Sequence, residues 1–140
     1  MMKNCYHFLL LIGCLSFFVA CESGGGASVK SNSYQVDQSD PAKVLQAVFD
    51  VAAGAEASIL GDLCDPKQQN DGDTRRICDL STGFEQDDEF VQYFENAKLT
   101  GEVRTENSIA YVPFLFGPDG DREEIMELVE RDGKWYLMSF

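Results

Sequence analysis

The feature that most constrains this chain is an apolar run that stops at a cysteine. No residue from Phe8 to Ala20 is charged, and Lys3 is the only formal side-chain charge before Cys21. One basic residue followed by a greasy core is the layout of a secretory signal. A membrane-spanning helix takes about 20 apolar residues, and the run from Tyr6 to Ala20 is shorter than that. Residues 1–20 are therefore expected to be removed, so the fold must be built from residue 21 onward. Cleavage by a plain signal peptidase would leave Cys21 as an odd, exposed thiol.

The stretch Phe18-Val19-Ala20-Cys21 resembles a bacterial lipoprotein signal, in which two small or apolar residues precede a cysteine that becomes diacylated. Phe18 stands where leucine is usual. The resemblance implies lipidation at Cys21, with diacylglycerol and palmitate chains holding the protein to a membrane of the bacterial envelope. The outer membrane or the periplasmic face is the expected place. Each buried methylene contributes about 0.8 kcal/mol, so two or three chains hold firmly. From Glu22 to about Asp40 the chain is Gly/Ser-rich and then polar, with no helix or strand period. Residues 21–40 therefore read as the lipidated cysteine and a flexible tether. About 19 such residues give a root-mean-square reach of roughly 24 Å.

Residues 41–140 suit a single domain with one modest core. The full chain carries a net charge of −13, and loss of Lys3 with the signal takes it one unit further. That balance argues against nucleic acid as a partner and against electrostatic docking on anionic lipid. The single histidine, His7, lies inside the signal. The mature protein then lacks an imidazole base, Ser-His-Asp or Cys-His pairs, and histidine-based zinc sites. No cofactor is expected. Of five cysteines, Cys5 and Cys14 leave with the signal and Cys21 takes lipid. Cys64 and Cys78 remain, and an even pair in an exported domain reads as a disulfide. Their spacing is not the C-x-x-C of a redox pair.

Ser39-Asp40-Pro41 is a helix start, a capping oxygen followed by proline at the first helical position. Val44, Val48, Val51 and Ala52 continue one apolar face until Gly54 breaks it. A second short helix is expected over 55–63. Asn70-Asp71-Gly72-Asp73 looks a little like a calcium loop. Aligning Gly72 with the required glycine puts Lys67 and Cys78 at ligand positions, so a turn is the better reading. A helical turn over 73–80 would carry Cys78 back toward Cys64. Glu85, Asp87, Asp88 and Glu89 precede Phe90 and Phe94, which suits an acidic helix N-terminus. Strands are expected over 98–103, 108–116, 122–130 and 134–140, with a two-residue turn at Asp132-Gly133. That turn pairs Leu128 with Leu137 and Val129 with Tyr136. Met126, Leu128, Trp135 and Leu137 then share one face, while Ile125, Val129, Tyr136, Met138 and Phe140 share the other. Helices cover one face, and the other wants a partner. The fold class is α+β, with N-terminal helices packed on an antiparallel meander.

The opening helices around Phe49, Gly54 and Leu60, together with Leu128-Val129-Glu130-Arg131-Asp132-Gly133-Lys134-Trp135-Tyr136-Leu137, resemble the nuclear-transport-factor-2-like family. More narrowly they are similar to the lumazine-binding-like (cystatin-like) domains of bacterial lipoproteins. The resemblance covers roughly residues 40–140. It implies a curved sheet wrapped on a helix, a conical pocket and a sheet face that often dimerises. Some relatives are isomerases or dehydratases that use a pocket carboxylate or histidine with a tyrosine or acid as donor. Asp50 and Tyr111 are the pair that would have to meet for such chemistry here. The resulting expectation is a non-catalytic envelope module that binds a partner protein or a second copy through the sheet face. The alternatives are a small apolar ligand held in the cone by Phe49, Phe114, Phe116, Met126 and Trp135, or a carboxylate-dependent isomerase or hydratase.

Overall fold

The computed structural model describes residues 34–83 and 87–140. The signal and Cys21 lie outside the described residues. Helix α1 spans Pro41–Ala52, and its cap is the Asp40 carboxylate, which accepts from the Ala42 amide at 3.0 Å. It buries Val44, Leu45, Val48 and Val51. It ends because Gly54 takes a φ of +108°, a left-handed position open to glycine. The Gly54 amide then donates to Val51 O at 3.0 Å and the Ala55 amide to Asp50 O at 2.8 Å. These two bonds close the last turn and satisfy carbonyls the helix would otherwise leave bare. The next element is a 3₁₀ helix over Ala57–Leu63 that buries Ile59, Leu60 and Leu63.

Helix α2, Gly72–Gly83, extends at both ends beyond the helical stretch expected over 73–80. Asp71 caps it by accepting from the Thr74 amide at 2.8 Å, and Ile77 and Leu80 are buried. Cys78 is bonded to Cys64, with Cα atoms 5.9 Å apart, so α2 is stapled to the end of the 3₁₀ helix. Helix α3, Asp88–Phe94, is capped by Asp87, which accepts from the Glu89 and Phe90 amides.

Five strands form one antiparallel sheet: β1 (Lys98–Leu99), β2 (Arg104–Glu106), β3 (Ile109–Phe116), β4 (Arg122–Arg131) and β5 (Lys134–Ser139). The order is β1-β3-β4-β5, with β2 beside β3 on the same edge as β1. The single first strand expected over 98–103 is thus split, and the second piece occupies positions expected as turn. Pro113 sits opposite the split: its carbonyl accepts from Thr100 at 2.9 Å, but its ring nitrogen has no hydrogen to donate to that neighbour. Asp132 (φ 51°) and Gly133 (φ 77°) form the expected turn, and Leu128 pairs with Leu137 and Val129 with Tyr136.

The register then shifts by one residue, so that Glu127 pairs with Ser139. One extra residue in a strand reverses the facing of everything beyond it. Phe140, expected on the outer face, is therefore turned inward. Its ring lies 5.9 Å from each of Phe94, Phe114 and Phe116. Phe49 joins this cluster, 5.8 Å from Phe114 and 6.3 Å from Phe94.

The β5 edge is closed by residues from outside the sheet. Trp135 donates its amide to Gln38 O at 2.8 Å, and Asn70 Nδ2 donates to Leu137 O at 2.7 Å. The Asp71 amide and the Thr74 hydroxyl both reach Met138 O at 2.8 Å. Val36 packs on the core beside Gln38. The chain over 36–38, expected as the end of the tether, is thus hydrogen-bonded and packed against the domain.

Asp65 holds the same loop from the other side. It is 3% exposed and accepts from Arg131 Nε and Nη2, both at 3.2 Å, and from the Lys67 and Gln69 amides. Burial pushes its pKa up. The Arg131 fork and the two amides outweigh that and hold the carboxyl below its ordinary range. A depressed folded-state pKa gives stability that is present above the unfolded value near 4. That stability is lost as pH falls through the folded value. Urea midpoints measured from pH 5 down to pH 2.5 should therefore fall more steeply in the wild type than in Asp65→Asn; parallel profiles would show the carboxylate contributes nothing. Reduction, or the double variant Cys64→Ala/Cys78→Ala, should cost about 3 kcal/mol of unfolding free energy, the scale for a closed loop of this length.

Candidate functional site

Two features stand out from the packed interior. The first is a recess of about 320 Å³ between α2, α3 and the sheet. Helix α2 presents Asp73, Arg76, Ile77 and Leu80 to it, at the three- and four-residue spacing of one helix face. Helix α3 adds Glu89, Phe90, Tyr93 and Phe94, with Asp87 from its cap. The sheet contributes Phe116, Arg122 and Glu124, and the bulge delivers Phe140. Phe116 is opposite Arg122 and Phe114 opposite Glu124, so both charged residues stand on the same face as Met126 and Leu128. The assembly is held square by Gly117, whose amide donates to Tyr93 O at 2.7 Å, and by Asn96 Nδ2, which donates to Pro118 O at 3.2 Å.

The floor of the recess is aromatic and its rim is charged. Arg76 is paired with Glu89 and lies 3.8 Å from Asp87. Glu89 chiefly, then Asp87 and Asp73, raise its pKa. Arg122 behaves differently. Its guanidinium lies 5.0 Å from the Phe116 ring centre and 5.8 Å from that of Tyr93, and among the described residues it makes no ion pair. Glu124 and Asp73 likewise have no ion-pair partner among the described residues.

The second feature is the outer sheet face. Ile109, Tyr111, Pro113 and Leu115 alternate along β3 and are half-buried; none belongs to the core. Ile125, opposite Pro113, is 47% exposed.

Of the residues named from sequence as pocket lining, one borders the recess and four do not. Phe49, Phe114, Met126 and Trp135 are buried in the core, where they fill the interior; Phe116 alone borders the recess. Apolar alternation marks inward residues but cannot distinguish a wall from a filling. Asp50 and Tyr111 do not meet. Asp50 accepts from Tyr34 at 2.7 Å and Gln46 at 2.9 Å, whereas Tyr111 is on the outer sheet face beneath Arg104, 4.9 Å away. Cys64 and Cys78 are joined, as the sequence predicts. Asn70 and Asp71 serve the sheet edge and a helix cap, and no group of three metal-ligating side chains occurs among the described residues. Arg122 and Glu124 were legible as inward residues, because they continue the alternation of Met126 and Leu128. The Asp65–Arg131 pair had no local signal.

No described helix is long and apolar enough to cross a membrane. No protein-family model, curated protein or solved structure matches this chain.

Proposed function

We propose that this chain is a lipid-anchored protein of the bacterial envelope whose domain, of the nuclear-transport-factor-2-like type, binds a protein partner rather than catalysing a reaction. The outer sheet face carries the reading. It offers half-exposed Ile109, Tyr111 and Leu115 beside exposed Ile125, outside the core cluster. Apolar side chains gathered on one open surface mark association sites. A second copy of the domain, or another envelope protein, is the partner such a face suits.

Further support comes from the interior. Asp65 is the carboxylate buried among the described residues, and it is committed to Arg131. The Cys64–Cys78 disulfide suits an oxidising compartment. The signal ending at Cys21 supplies the anchor. A ligand held by the domain is the second reading, favoured by the recess between α2, α3 and the sheet.

Radiolabelled palmitate should enter the wild-type chain and not Cys21→Ala, and the variant should leave the membrane fraction. Label in the variant would remove the anchor from the proposal. In cross-linking and sedimentation experiments the wild type should be captured as a dimer or with an envelope protein, and Ile125→Asp should lose that species without a change in thermal midpoint. A wild type that stays single and uncaptured would overturn the partner reading.

A further inference from the structure

The recess between α2, α3 and the sheet carries an inference independent of the outer face. Its floor is lined by the rings of Phe90, Tyr93, Phe94, Phe116 and Phe140, and the face of an aromatic ring attracts cations through its negative quadrupole. The Arg122 guanidinium already occupies such a position, 5.0 Å from the Phe116 ring centre and 5.8 Å from that of Tyr93. The rim carries four carboxylates against two arginines, and Arg76 is already engaged by Glu89 and Asp87. Glu124 stands on the same strand face as Arg122, two residues away, and has no cationic partner among the described residues. The chain's net charge of −13 adds a field of the same sign. An anion entering this mouth would meet repulsion from both sources. An organic cation would meet rings below and a carboxylate beside it.

We infer that the recess binds a small organic cation, an amine or guanidinium carried on an apolar or aromatic body. Glu124 pairs with the charge and the Phe116, Tyr93 and Phe140 rings hold the body. Arg122 is a resident competitor for the same ring faces. A volume of about 320 Å³ is near the lower end for ligand pockets, which restricts the occupant to a small molecule or a single side chain.

The test uses the full-length chain in an uncharged detergent, titrated by calorimetry and ligand-observed NMR. The probes are 2-phenylethylammonium and 3-phenylpropionate, alike in body and opposite in charge. The wild type should bind the cation and not the anion. Glu124→Gln should weaken the cation about threefold and Arg122→Gln should strengthen it about threefold, the scale of one exposed charge contact. Glu106→Gln, on the far strand β2, should change nothing. Thermal midpoints for each variant separate loss of binding from loss of fold. Three results would overturn the inference: tighter binding of the anion with its loss in Arg122→Gln, no binding of either probe by the folded wild type, or equal weakening in Glu124→Gln and Glu106→Gln.

Discussion

The structure depends on how strand β5 is kept from being a bare edge. A strand at the end of a sheet exposes a row of unpaired amides and carbonyls, which cost free energy if buried and recruit other strands if exposed. Here Gln38, Asn70, Asp71 and Thr74 hydrogen-bond groups of that row, from segments that lie outside the sheet. The loop that carries Asn70 and Asp71 holds position only if something fixes both its ends. The Cys64–Cys78 bond fixes it covalently, and Asp65 fixes it ionically to Arg131 at the far end of β4. The polar stretch that resembles a calcium loop is thus an edge cover.

A second constraint acts through register. The Asp132-Gly133 turn sets which side chains of β4 and β5 face the helices. The bulge near the end of β5 then reverses the last of them. Between them they turn Phe140 into the aromatic cluster, while the alternation of β4 itself leaves Arg122 and Glu124 facing the same side as Met126. One face of the sheet is therefore greasy in its middle and charged at one end. That gradient turns a packed interior into an open recess.

Much of this was legible from local chemistry. Asp40-Pro41 and Gly54 bracket α1 because caps and left-handed stops are properties of single residues. The hairpin register came from two residues, and the disulfide from the even cysteine pair left in the folded part. What escaped was decided by distant partners. The docking of 36–38 depends on Trp135, nearly a hundred residues away. The filling of the interior depends on the summed volumes of Phe49, Phe94, Phe114 and Phe140, and no periodicity encodes a sum.

The opposite margin of the sheet has its own consequence. β1 has two residues and β2 three, and the proline in β3 keeps them from joining. Arg104 and Glu106 on β2 are exposed charges. Short, charged and interrupted strands offer a poor template for another chain. With one margin covered and the other broken, the sheet offers little template for edge-to-edge growth when copies are concentrated.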